Sequence, residues 1–249
     1  MYISYSLWGS NKVYTYGLVE NALQIKKLLP EWTLRVHHNS SVPENVIAWL
    51  KAQDNVQLIP HDGDECKASN MFWRLEDLFL DDTTVLIRDA DSRISVREVR
   101  LINEWLASDR DFHIIRDHPG HRVPILGGTM GCRNNCLKYI GTPTGLRDVN
   151  APPIQFNDGV EFMRHFYKNV PLPTDRYNLD QMFLYTYVYP IVSYRAMIHC
   201  SHNAYEKFAK RIDAVSTGFC GEIETHCPEA TQIFEGEGAE STFERVAAY

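Results

Sequence analysis

Two hydrophobic periods take turns along the first 116 residues. Ile3, Tyr5 and Leu7 alternate with polar neighbours, the period of a half-buried strand. Leu18, Ala22, Ile25 and Leu29 then recur at helical spacing, and Pro30 ends that run. Trp32, Leu34 and Val36 predict a second strand, and Ser41 with Glu44 has the spacing of a capping box that opens a helix through Leu50. A short strand follows at 56–59. Met71, Phe72, Leu75, Leu78 and Phe79 form the next helical stripe, and residues 83–88 are an apolar, β-branched strand. Ser95 and Glu98 predict a capped helix carrying Val99, Ile102 and Leu106 inward, before a strand at 112–116. Strands alternating with helices in this order predict an α/β fold with a mostly parallel sheet and helices on its faces.

The second half is less regular. Residues 125–131 are apolar but broken by glycines, and 141–153 read as a loop rich in glycine and proline. Residues 158–168 and 178–189 have helical character, and 196–199 form a short apolar strand. From Glu235 onward the chain holds four glutamates, one arginine and few large apolar groups. The expectation is one domain over 1–234, followed by an acidic tail, 235–249, that is mobile or an oligomer contact.

Composition narrows the function classes. Hydrophobic residues make up 44% and charged residues 23%, the balance of a globular chain, and the formal charge is −7. Net acidity argues against bulk nucleic-acid binding through phosphates, although a local basic groove stays open. Residues 182–192 are the longest apolar candidate, too short to span a bilayer and carrying three tyrosines and a proline. The start lacks a basic segment followed by an apolar one, so a cytoplasmic location is expected. The six cysteines are scattered, which favours free thiols over a disulfide framework or a zinc site built on Cys132 and Cys136.

The strongest chemical signal is Asp89-Ala90-Asp91 at the end of the apolar strand. In an open α/β sheet, ligands bind just beyond the carboxyl ends of the strands. If the chain stays extended there, both carboxylates lie on one side and can hold one divalent cation, Mg²⁺ or Mn²⁺, through oxygen ligands. Arg88 and Arg93 flank the pair and are candidates for bidentate phosphate contacts. The plain alternative is a solvated turn that caps the next helix.

This strand ending in Asp-Ala-Asp resembles the DXD element of nucleotide-sugar glycosyltransferases with the GT-A fold. The resemblance covers about residues 1–225 and rests on order and context as much as on the short motif. It implies a GT-A-like, Rossmann-related sheet, with a nucleotide-binding part over about 1–116 and an acceptor-side part over about 117–234. It places the opening segment, with Leu7, Trp8 and Tyr14, beside the nucleotide, and Arg74 on the helix before the motif strand near the same ligand. Arg88 and Asp89 join that donor-binding set; Gly127 and Gly128 line the sugar and acceptor side. Asp180 and Asp117 are the candidate catalytic carboxylates. Asp89, Asp91 and His199 would hold the metal, His199 as a ligand at the end of a late strand, with His202 an alternative by spacing. The implied activity is transfer of a hexosyl or pentosyl group from a nucleoside-diphosphate sugar, a UDP-sugar first, to a hydroxyl acceptor. A glycan is the foremost acceptor; protein and a modified nucleic-acid base stay open.

Each feature has a plainer reading. Tyr2, Tyr5, Trp8, Tyr14 and Tyr16 can be ordinary core as readily as a platform for a base. Asp180 stands near a helix start, where a carboxylate favours the dipole without any catalysis. Arg74 can pair with Glu76 or Asp77 instead of serving a nucleotide. Two other functions also fit: a metal-dependent phosphohydrolase using Asp89 and Asp91, and a non-catalytic sugar-nucleotide-binding module. Retention or inversion, donor, and oligomeric state stay open.

Overall fold

The computed structural model describes residues 1–134, 136–137, 140–141, 156–170 and 177–245. Most of the loop expected at 141–153, and the end of the tail, lie outside the described residues. Among the described residues, eight strands form one sheet in the order β3-β2-β1-β4-β6-β5-β7-β8. Here β1 is Tyr2–Leu7, β2 Thr33–His38, β3 Val56–Pro60 and β4 Val85–Ile87; β5 is Phe112–Arg116, β6 Met130–Cys132, β7 Ala196–Cys200 and β8 Lys210–Arg211. Only β6 runs antiparallel to its neighbours, β4 and β5. The mostly parallel α/β sheet expected from the hydrophobic periods is therefore present.

Helix α1 (Lys12–Leu28) opens on Asn11, whose side chain accepts the Val13 amide. The Ser95 cap of α3 (Val96–Leu106) forms as expected, accepting from the Glu98 amide. Ser41 does not cap α2 (Glu44–Lys51). Pro43 holds the cap position, and the Ser41 hydroxyl accepts the Gly9 amide at 2.7 Å instead. That bond ties the loop after β1 to the loop after β2. The stripe at 71–79 is a 3₁₀ helix, Ala68–Phe79, and packs across the ends of β1, β2 and β4.

In the second half, α4 (Gly159–Asn169) is capped by Asp158. The helix expected at 178–189 is α5 (Leu179–Phe183), continuing through a π turn at Leu184–Val188 into α6 (Tyr189–Val192). The last segment departs from expectation. Helix α7 (Pro228–Glu235) packs on α1, and Glu235 pairs with Lys12 at 2.7 Å. Tyr16 stacks on Phe234 and meets Phe243 edge-on. Two aromatic anchors within an acidic stretch bury enough apolar area to hold it against α1.

The core has two main parts, one on each face of the sheet. One centres on Phe72, Phe112, Phe183 and their neighbours, the other on Ile3, Leu18, Leu34 and Trp105. From β1 the chain builds one edge through β2 and β3, then returns across β1 to place β4 on its other side. This reversal makes a switch point between β1 and β4, where a crevice opens beyond their carboxyl ends.

Candidate active site

That crevice is a cavity of about 700 Å³. The end of β1 contributes Ser6, Leu7 and Trp8; the chain after β4 contributes Asp89 and Asp91; Gly127, Gly128 and Asp180 close the far side. A volume of this size suits a small-molecule ligand.

Arg74 organises the cavity. Its backbone amide donates to Ser6 Oγ at 3.0 Å, pinning the 3₁₀ helix to β1. Its guanidinium donates to the Arg88 carbonyl at 3.1 Å, to the Asp89 carboxylate, and to Asp180 Oδ2 at 3.4 Å. The alternative partners Glu76 and Asp77 are engaged elsewhere, with Arg164 and Arg35. Burial opposes the charge on Arg74, but Asp89 and Asp180 raise its pKa above the ordinary arginine value, so it stays a cation. Asp180 is almost fully buried, and burial raises its pKa despite Arg74. One cation thus bridges the motif strand and α5, although Arg74 and Asp180 lie 106 positions apart.

The motif itself is a turn rather than an extended end. The Ser92 amide and hydroxyl both donate to the Asp89 carbonyl, at 3.2 and 2.9 Å. Asn21 of α1 donates to the Ala90 carbonyl, and a Cβ at Gly17 would lie only 2.6 Å from that oxygen. Helix α1 therefore seats the turn directly, which explains why this helix carries a glycine and an asparagine inward. Both carboxylates still reach the cavity. Burial, then the charge of Asp89, pushes Asp91 up to about 6. Arg245 Nε lies 3.1 Å from Asp91 Oδ2 and donates to the Tyr14 hydroxyl at 3.2 Å.

The donor chemistry fits a divalent cation. Asp91 Oδ2 is buried without a hydrogen bond, and the nearby Asp89 disfavours its ionisation. A cation with hard-oxygen preference satisfies that oxygen and relieves the repulsion. Arg245 supplies part of that compensation through charge alone.

Gly127 and Gly128 are held close for a steric reason. A Cβ at Gly128 would overlap the Asp89 carboxylate, and one at Gly127 would stand 3.1 Å from both Arg74 and Asp180. The Gln181 side chain accepts the Gly127 amide at 3.1 Å and donates to the Ile125 carbonyl, fixing this segment on α5. Trp8 and Tyr14 line the cavity, whereas Tyr5 and Tyr16 belong to the core.

Four expectations are corrected. Arg88 does not face the cavity: it is buried, bonded to Glu98 at 2.6 Å and to the Ile87 and Met130 carbonyls. Period-two alternation sends it to the face opposite Asp89. Arg93 likewise turns back to the Ala90 and Ser92 carbonyls. His199 does not join the carboxylates. Its Nδ1 lies 2.9 Å from His113 Nε2 and its Nε2 lies 3.3 Å from Glu104, so both ring nitrogens point into contacts with β5 and α3. Asp117 is fully buried behind the cavity wall, where it accepts from Arg97 and from the Cys220 amide at 3.2 Å. His121, 3.7 Å from Asp117, reaches the cavity in its place, and its pKa is lowered by burial. His202 contacts Ser201 at the surface and is outside the cavity lining.

Sequence reasoning missed Arg245, Ser6, Gly17 and the clamping role of Gln181. Gly17 carried the one readable signal, a glycine inside a helix, which marks close packing. The cysteines are free, with Cys132 Sγ 3.1 Å from Cys136 Sγ. Among the described residues no helix is long and apolar enough to cross a membrane.

The fold and site define a mixed α/β domain with a carboxylate-lined cleft at its switch point. No protein-family model matches the chain, and no curated protein matches it. Solved structures similar to it include Staphylococcus (S.) aureus TarS 1–349, at 15% identity, over 55% of this chain and 47% of that one, with a TM-score of 0.41. Another is a glycosyltransferase involved in glycosylation of the major capsid of PBCV-1, at 12% identity over 80% of each chain and a TM-score of 0.45. A third is the Pyrobaculum calidifontis mannosyltransferase PcManGT in complex with GDP-Man and Mn²⁺, at 13% identity, over 88% of this chain and 58% of that one, TM-score 0.43. This chain thus spans about half the length of the TarS 1–349 chain it matches. These likenesses concern the course of the chain; the chemistry rests on the residues above.

Proposed function

We propose that the protein transfers a sugar from a nucleoside-diphosphate sugar to a hydroxyl acceptor, assisted by a divalent metal. The observation that carries this reading is Arg74, which ties Asp89 and Asp180 together across a cleft where Asp91 keeps a buried oxygen without a hydrogen bond. Asp89 and Asp91 would hold Mn²⁺ or Mg²⁺, which when bound supplies positive charge for the departing diphosphate. Trp8 and Tyr14 offer aromatic faces to the base, UDP being the first nucleotide to try. Arg245 ends beside Asp91 and offers the phosphates a second cation.

Asp180 is the carboxylate toward which positive charge on the sugar ring would develop during transfer. Its pKa is raised by burial, yet Arg74 beside it favours the ionised form. Gly127 and Gly128 let backbone approach the sugar where any side chain would collide with Asp89 or Asp180. His121 is the neutral group at the cavity edge suited to take a proton from an acceptor hydroxyl, since burial lowers its pKa. A glycan is the acceptor class to test first.

The pKa of about 6 at Asp91 also suits a general acid, which favours a phosphohydrolase as the second reading. Under that reading Asp89 would be the nucleophile, but the ion pair with Arg74 holds that carboxylate. One experiment separates the two: incubate the protein with Mn²⁺ and a panel of UDP- and GDP-sugars, and separately with phosphomonoesters. Metal-dependent release of nucleoside diphosphate is the expected result. Release of inorganic phosphate alone would replace it with the phosphohydrolase, and binding without either product would leave a non-catalytic module.

A further inference from the structure

A second group of metal-ligand side chains lies outside the lining of the cleft. His37 on β2, His61 just after β3 and Glu76 on the helix each present one donor atom, all within 4.8 Å of one another. His37 Nδ1 and His61 Nε2 face each other at 2.9 Å. We propose that His37, His61 and Glu76 form a binding site for a borderline divalent ion of the Zn²⁺ or Co²⁺ type, separate from the carboxylate pair in the cleft.

The surroundings of these side chains match those of a metal site. His37 Nε2 lies 3.2 Å from Asp77 Oδ2, so a carboxylate sits behind the imidazole on the side away from His61, where an outer-shell partner of a metal-ligating histidine is found. Asp77 is itself held by Arg35 at 2.9 Å; with burial opposing them, His37 and Arg35 keep it below the usual carboxylate range. The His61 ring is fixed by stacking on Trp73, centroids 4.4 Å apart and planes 11° apart. Glu76 accepts both Arg164 contacts, at 2.8 and 3.0 Å, on Oε1 alone. Its other oxygen carries no hydrogen bond to Arg164.

Two imidazoles and one carboxylate are a ligand set of metal sites with three protein ligands that keep a fourth position for water. Imidazole nitrogen selects Zn²⁺ or Co²⁺ over the Mg²⁺ and Mn²⁺ preferred by the oxygen-only pair in the cleft. An ion here clamps the β2–β3 edge to the helix that carries Arg74. It is connected to the cleft by Trp73, which also meets Trp8 edge-on at 6.2 Å.

The test is Co²⁺ titration of the full chain after chelator treatment, followed by visible absorption. The Asp91→Asn variant serves as background, so that cleft binding does not contribute. One equivalent with the d–d bands of a low-coordinate nitrogen–oxygen site is expected. His61→Ala, at a half-exposed position, should abolish the bands, and Asp77→Asn should weaken Co²⁺ affinity about 10- to 100-fold. Bands that persist in His61→Ala, or no binding in a folded Asp91→Asn protein, would overturn the site. Loss of glycosyl transfer in Asp91→Asn leaves this outcome untouched, because absorption reads the ion rather than the reaction.

Discussion

Two groups of titratable side chains sit at strand ends on the two sides of β6, and they behave oppositely. Beyond β4, Asp89 and Asp91 open into the cleft, and Asp91 holds a buried oxygen lacking a hydrogen bond. At the end of β7, His199 closes on His113 and Glu104, with Trp105 stacked on His113 at 5.2 Å. Both are acid–base residues at the carboxyl ends of apolar strands. Only the first meets a cavity, because the chain reverses direction between β1 and β4 but not around β7. A chemically suitable residue at a strand end becomes a site only where the topology leaves a crevice.

The comparison predicts opposite effects of pH on the two sides. Asp91 has a folded pKa above its unfolded value, so the folded state binds more protons between about 4 and 6. Its ionisation therefore costs stability as pH rises through that window. His113 is held well below the usual histidine range by burial first and then by His199, and His199 is lowered mainly by burial. These groups have depressed folded pKa values, so stability is lost as pH falls below about 6.5.

The largest expected effect is on catalysis. Asp91→Asn should lower metal-dependent transfer by at least about 100-fold while the fold survives, as read by turnover alongside circular dichroism. Equal turnover in a folded variant would move the reaction away from this turn. Next comes Arg74→Met, which leaves Asp180 buried beside Asp89 without its cation. We expect a loss of about 3–5 kcal/mol of stability in urea unfolding, together with weakened donor binding. The contrast is Arg88→Met, which strands Glu98 at a similar cost. Isothermal titration with the nucleotide sugar should give an unchanged Kd for that variant, since Arg88 faces away from the cleft.

A smaller effect concerns stability of the metal-free protein. At pH 7.5, Asp91→Asn should raise stability by about 1–3 kcal/mol, a gain that fades toward pH 4. Thermal melts across that range check it, and a gain that grows on acidification would contradict the Asp91 shift. The smallest effect belongs to His199→Ala. It should cost about 1 kcal/mol through lost packing and hydrogen bonding, yet leave Mn²⁺ affinity and its pH profile as in the parent protein. A Mn²⁺ affinity that collapses in this variant would restore His199 as a ligand.

Much of the architecture was readable along the chain. Period-two and helical stripes marked β1 through β5, and the cap at Ser95 is a local device that needs only neighbouring residues. Asp89 and Asp91 were legible for the same reason: an apolar strand running into two acids is a local pattern. The short antiparallel β6 was not, because three residues broken by glycine carry no period. Nor was the docking of the acidic end, which depends on Phe234 and Phe243 finding Tyr16.

The sequence alone determined the order of elements through β5, the parallel character of the sheet and the two acids that follow β4. Tertiary structure alone decided which neighbouring charges serve the cleft. Arg88 and Asp89 are adjacent, yet the pleat sends one to Glu98 and the other to Arg74. The resemblance pointed to His199, with His202 as the alternative by spacing, whereas the path of the loop after β5 brings His121 to the cavity. Arg74 meets Asp180, and Arg245 meets Asp91, across separations that no local spacing records. Periodicity follows from steric repeats within a few residues, whereas the partners of a buried charge are set by whichever distant segment packs against it.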